Sequence, residues 1–287
     1  LATLRIPLPP GFSFDAVVRS HGWYDLPPFS YDAGSGALST RLPSGEVVFR
    51  ARDGFLEARG RGVPRAELSR AARRVFSLDV DLSDGARRFA GAPRLARGLA
   101  RGGGRMLRAP GLFEDAVKML FTTNCSWAAT RGMVVRLIEL AGDEGGAFPS
   151  PSAVARIPPA RLKRRVRCGY RAAALSRFAR RVDSGRLDLA SWERPGVAAP
   201  ELRDAILSEH GFGPYAAEGL MRILGRHDFL AIDSWVRKRY RQLHRGPAKT
   251  VDRAIARRYA RYGDLRGLAL WLEITDHWHE GAEEVWP

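Results

Sequence analysis

An α+β fold is expected, with a small antiparallel β-rich domain over residues 1–80 and a mostly α-helical domain over 81–287. Three observations predict it. The chain has 287 residues and is 45% apolar, enough to bury a sizeable core in two domains that share an interface. Residues 38–60, LSTRLPSGEVVFRARDGFLEARG, read as strands broken at PSG and RDG, two short turns of hairpin type. From Glu67 the apolar spacing turns helical, and after LDVDLSD it stays so almost to the C-terminus.

Taken in order, the hairpin signals define the opening sheet and a helix is expected over 67–76. Residues 96–111, ARGLARGGGRMLRAPG, have the look of an Arg-Gly nucleic-acid-binding run. Three consecutive glycines after a basic helix end read instead as a helix stop and connector. Further helices are expected over 112–141, 158–183, 200–210, 214–225, 234–244, 251–262 and 265–279, with breaks at GDEGGAFPSP and ERPGVAAP.

Forty-seven Lys plus Arg against thirty-one Asp plus Glu leave a net charge of +16, spread along the chain, so a polyanionic partner is expected. The lysines are Lys118, Lys163, Lys238 and Lys249; arginine makes up the rest, which suits bidentate phosphate contacts and also follows from a GC-rich genome. Cys125 and Cys168 are too few for a disulfide framework, a four-cysteine zinc site or a four-cysteine iron–sulfur cluster. No window approaches eighteen uninterrupted apolar residues and no signal-peptide pattern opens the sequence. A soluble monomer in the bacterial cytoplasm, at the nucleoid, is the expectation, with no membrane partner.

The stretch SEHGFGPYAAEGLMRILGRHDFLAIDSW, residues 208–235, carries the most chemistry. Leu202, Ala205, Ile206 and Glu209 mark a stripe that ends at Gly211; Pro214 suits a first helical position, and Ala217, Leu220, Met221 and Leu224 continue an apolar face. The pattern is helix, tight glycine turn, helix. Gly211 and Gly213 leave bare backbone that a phosphate could approach, although an ordinary helical hairpin has the same pattern.

GFGPYAAEGL followed by FLAIDSWVRKRY, with Asp233 eighteen positions after Tyr215, resembles the helix-hairpin-helix DNA glycosylases. Upstream, FEDAVKMLFTTNCSWAATRGMVVRLIELAG, FPSPSAV and CGYRAAAL are similar to segments of the same superfamily in the same order; downstream, YGDLRGLALWLEITDHW is similar to its closing helix. The resemblance covers most of the chain and points to the 3-methyladenine and 8-oxoguanine branches, whose helical domain is two-lobed. It implies double-stranded DNA containing a damaged base as partner, and a base turned out of the stack before its N-glycosidic bond is cut.

The resemblance implies that Gly211, Phe212, Gly213 and Tyr215 form the turn that holds the DNA backbone, and that carbonyls of Leu207, Glu209 and Gly211 hold a structural Na+ or K+. No other cofactor is required. Asn124 and Tyr170 fall where 8-oxoguanine glycosylases fill the gap left by the extruded base; an Asn in a helix-initiating turn and a Tyr at a helix start are the plainer readings. Arg171 and Arg237 are expected on the DNA face. Asp233 is the expected catalytic residue: a carboxylate stabilises an oxocarbenium-like sugar or orients water, and the same position reads as a helix N-cap. Relatives that also nick the strand carry a lysine where this chain has Tyr215, which cannot form a Schiff base, so a monofunctional enzyme is expected.

The base pocket is expected from Tyr215, Gly219, Trp235, Leu270 and Trp271, with Trp278 beside them. Leu270 stands where oxidised-guanine relatives have glutamine, and Gly219 where alkylpurine relatives have an aromatic residue, so neither pattern transfers. Aromatic rings could hold a cationic alkylated purine by cation–π attraction, although Trp271 and Trp278 also read as core. An alkylated purine is the expected substrate. The alternatives are an oxidised purine, a deaminated base, a lyase with an unconventional amine, and a non-catalytic DNA-structure binder. HWHE at 277–280 is taken as a solvated helix end and not as a metal site.

Overall fold

The computed structural model describes residues 1–244 and 248–279. Strand β1 (Ala2–Pro7), helix α1 (Phe14–Val18) and strands β2 (Ser30–Asp32), β3 (Ala37–Leu42), β4 (Gly45–Arg52) and β5 (Phe55–Arg61) open the chain. The strands form one antiparallel sheet in the order β1-β5-β4-β3-β2. In β4, Val47 and Phe49 alternate into the core, while α2 (Arg65–Val75) lays Leu68, Ala72 and Val75, one helical stripe, against β1 and β5.

The helical part follows as α3 (Ser83–Arg88), α4 (Pro93–Ala100), α5 (Leu112–Thr122), α6 (Trp127–Ala141), α7 (Pro151–Ala155), α8 (Pro159–Val166) and α9 (Arg171–Asp183). The remaining helices are α10 (Ala199–Leu207), α11 (Pro214–Ile223), α12 (Ser234–Leu243), α13 (Val251–Tyr259) and α14 (Arg266–Thr275). Two of the expected helices are each broken once: 112–141 between α5 and α6, and 158–183 between α8 and α9. Asn124 and Arg167 take left-handed backbone there, with φ of +47° and +60°, so neither helix can run through.

The described residues form two cores. One joins the sheet to the helices from α5 to α11, so the sheet does not have a core of its own; the other joins Phe89 and Leu95 of the α3–α4 region to α12, α13 and α14. Gly102, Gly103 and Gly104 are buried between α4 and α5, as a connector and not an exposed Arg-Gly run.

Asp115 ties the first core together. Fully buried, it accepts hydrogen bonds from Trp23 Nε1, the Ala109 backbone N–H and Arg74 Nη1, each at 2.8 Å. Asp115→Ala would leave Trp23 Nε1 and the Ala109 N–H without their acceptor and take from Arg74 its buried carboxylate, leaving it Glu193 at 2.9 Å. We expect it to lower unfolding stability by about 3–5 kcal/mol; a loss below about 1 kcal/mol in denaturant titration would contradict this role.

His227 is 6% exposed, and burial, aided by Arg222 and Arg108, pushes its imidazole down to about 4 from the ordinary 6.5. Between those values the unfolded chain binds the proton and the folded chain does not. Stability is therefore full above pH 6.5 and falls as pH drops toward 4. His227→Gln should remove on the order of 2–3 kcal/mol of this acid sensitivity between pH 7 and 4.5. Parallel stability profiles for the variant and the native protein would refute the assignment.

Candidate active site

Asp233 lies where the chain passes from one core to the other. It is the N-cap of α12, and its Oδ1 accepts the Val236 N–H at 2.7 Å. The run leading to it is fixed at two earlier points. The Gly267 N–H donates to the His227 carbonyl at 2.8 Å, and a Cβ at Gly267 would lie 2.2 Å from the Phe229 carbonyl oxygen, so only glycine admits this approach. The Ala231 N–H donates to Glu218 Oε2 at 3.0 Å, holding Ala231 at a φ of +48°. Glu218 Oε1 in turn accepts from Arg203 Nε and Nη2 at 3.0 and 2.9 Å. Sequence reasoning missed Glu218 and Gly267, because a carboxylate inside a helix and a glycine at a helix start match no spacing rule.

The hairpin joins α10 to α11. Gly211 has a φ of +95° and a Cβ there would sit 2.5 Å from the Ala174 Cβ, so glycine is required on both counts. Phe212 turns its ring inward, 5.2 Å from that of Phe178, leaving backbone at the turn's surface. Gly213 is the N-cap of α11 with no side-chain cap, and nothing lies within 4 Å of where its Cβ would be. The Glu209 carbonyl accepts the Phe212 N–H at 3.1 Å.

A cavity of about 560 Å³ opens between hairpin and α12, with Thr122, Asn124, Tyr215, Asp233, Trp235 and Arg237 in its lining. Burial pushes the Tyr215 hydroxyl up to about 12, and the charge of Asp233 together with a hydrogen bond to it adds to the rise. Tyr215 is therefore a neutral phenol beside the carboxylate. At the rim, Arg237 makes a bidentate pair with Asp252 at 2.7 and 2.9 Å. The N-terminal part also reaches this cavity: Trp127, another lining residue, donates from Nε1 to Asp25 Oδ2 at 2.8 Å.

The breaks noted above bring Asn124 and Tyr170 together. Asn124 Nδ2 donates to the Tyr170 hydroxyl at 3.3 Å, and the Tyr170 side is open, 63% exposed. Arg171 departs from the expected DNA contact. It is buried, donates from Nε to Thr123 Oγ1 at 3.1 Å and from Nη2 to the Thr123 carbonyl, and so holds the Asn124 turn in place.

Other expected pocket residues separate. Leu270 is fully buried in the second core, away from the cavity lining, because its side of α14 faces inward. Gly219 faces Met119, whose sulfur and methyl would lie 3.0 Å from a Cβ there. Trp235 lines the cavity and continues into a cluster, with its ring 5.9 Å from Trp271 and 5.4 Å from Trp278. Trp271 donates from Nε1 to the Ser20 carbonyl at 3.2 Å, and the Arg222 guanidinium covers its ring at 3.8 Å. Arg222 went unnoticed in the sequence as one basic residue among many. Among the described residues no group of three His, Cys, Asp or Glu could hold a metal; of HWHE, Glu280 lies outside them.

No protein-family model matches the chain, and no curated protein matches it. Solved structures do. MBOgg1 in complex with a low-affinity DNA ligand is 18% identical, with 98% of this chain and 96% of that one covered and a TM-score of 0.74. The 3-methyladenine DNA-glycosylase of Archaeoglobus fulgidus is 20% identical, covering 96% and 98% with a TM-score of 0.71. The Clostridium acetobutylicum 8-oxoguanine glycosylase/lyase, in complex with DNA containing cytosine opposite 8-oxoguanine, is 17% identical, covering 91% and 93% with a TM-score of 0.67. The chain thus shares the α+β fold of these solved structures over nearly its whole length.

Proposed function

We propose that this protein is a monofunctional DNA glycosylase, which turns a damaged base out of duplex DNA and hydrolyses its N-glycosidic bond with water. The observation that carries the reading is Asp233 fixed at the edge of a cavity with Tyr215, a neutral phenol, where strand-nicking relatives would present an amine. The bare turn at Gly213 and the uncapped first turn of α11 suit a DNA phosphate. The net charge of +16 supplies the sequence-independent part of binding. Carbonyls of Leu207, Glu209 and Gly211 are oxygen donors suited to a monovalent cation at the same turn; it would fix backbone and take no part in the reaction.

In this reading the Asn124–Tyr170 pair enters the opened step, and the extruded sugar comes to rest beside Asp233. As the bond to the base lengthens, positive charge grows on the sugar and the carboxylate stabilises it or orients the incoming water. Tyr215 helps by holding the carboxylate in orientation without competing as a nucleophile. Lys118 cannot substitute as an amine, being buried against Glu114 at 2.6 Å. The expected alkylated purine relied on open aromatic faces, and Arg222 covers one face of Trp271.

Asp233→Asn preserves shape and the N-cap while removing the charge. The variant should release base about 100- to 1000-fold more slowly while keeping its affinity for lesion-containing duplex. Undiminished release by this variant would remove Asp233 from the mechanism.

A further inference from the structure

Arg222 stands two helical turns after Tyr215 on the same face of α11. Its guanidinium makes no hydrogen bond and no ion pair with any described residue, and Nη1 is buried without an acceptor. It rests 3.8 Å over the Trp271 ring, which is itself 5.9 Å from Trp235 of the cavity lining. Two more polar groups nearby are unanswered. His227 has both ring nitrogens buried without partners, and so is Nε2 of His21, which adjoins the Ser20 carbonyl that binds Trp271. Burial, with the charge of Arg222 adding to it, lowers both imidazoles. Burial lowers the Arg222 pKa, and the negative charges of Asp233 and Glu218 oppose that fall.

Buried polar groups in native proteins are ordinarily satisfied, and a buried guanidinium nitrogen such as Arg222 Nη1 is costly without an acceptor. A ligand bringing acceptors would relieve that cost. A cationic base would instead meet a like charge, and would find one face of Trp271 already covered by a cation. We infer that the pocket is built for a neutral base bearing carbonyl and ring-nitrogen acceptors, such as an oxidised purine or a deaminated base, with Arg222 as its specificity residue. This inference rests on the glycosylase reading above.

The chemistry agrees. A neutral base leaves with the electron pair of the broken C1′–N bond and is an anion as it departs. Arg222 donates hydrogen bonds to that anion and keeps its own proton. Water oxygen bonds to C1′; the proton that water loses passes by way of Asp233 or solvent, and the base takes up one proton, so the products are the abasic sugar and the neutral base. A cationic alkylated base leaves already neutral and has no use for this donor.

Single-turnover base release decides the matter, with duplexes carrying 8-oxoguanine, hypoxanthine, uracil or 7-methylguanine. The native protein should release at least one neutral base at least about tenfold faster than 7-methylguanine; which one is released separates oxidised from deaminated substrates. Arg222→Gln should slow neutral release about 100-fold, and Arg222→Lys, which keeps charge without the planar fork, should recover part of it. Faster release of 7-methylguanine by the native protein, a comparison that needs no variant, overturns the inference alone. So does an unchanged neutral rate in folded Arg222→Gln. No release from any duplex overturns the glycosylase reading and this inference with it.

Discussion

Three donors converge on Glu218: Nε and Nη2 of Arg203 from α10, and the backbone N–H of Ala231 from the run that ends at Asp233. One carboxylate on α11 thereby ties the first helix of the hairpin, the second helix and the segment that ends at Asp233 together. The grip also holds Ala231 in left-handed backbone, a conformation that needs external support in a non-glycine residue. Tyr215, one helical turn earlier on α11, takes its place beside Asp233 from the same arrangement. Hairpin and carboxylate are consequently one mechanical unit, although they bind different parts of the DNA in the proposed reaction.

The electrostatics of the site divide in the same way. Outside, a broad positive charge suits a phosphate backbone. In the proposed reaction the Asp233 carboxylate, held by the Val236 N–H and beside the neutral Tyr215 phenol, meets the charge building on the sugar. Beyond it the Arg222 guanidinium lies over the Trp271 ring, and in the inferred reaction it answers the leaving base. Negative charge for the sugar and positive charge for the leaving group is the polarity that heterolysis of a neutral nucleoside demands.

Much of this was readable from residue order. The hairpin strands were legible at PSG and RDG, and the helix-turn-helix from its two glycines and Pro214, because local turn chemistry carries those features. The N-cap position of Asp233 was legible for the same reason. The breaks at Asn124 and around Arg167 were not, since nearby apolar periodicity runs through them and each turn is held by a distant partner, Arg171 for the first. Leu270 and Arg171 looked like site residues by alignment and proved to face inward, while Glu218, Gly267 and Arg222 act through contacts made only after the two cores meet.

The account turns on Asp233 directing water, and on no amine attacking the sugar. The most direct measurement follows strand integrity after base release, with and without alkali, and with borohydride present during turnover. Strands that break only after alkali, with no protein–DNA adduct, are the predicted result. A borohydride-trapped adduct, or breakage without alkali, would contradict the hydrolytic mechanism.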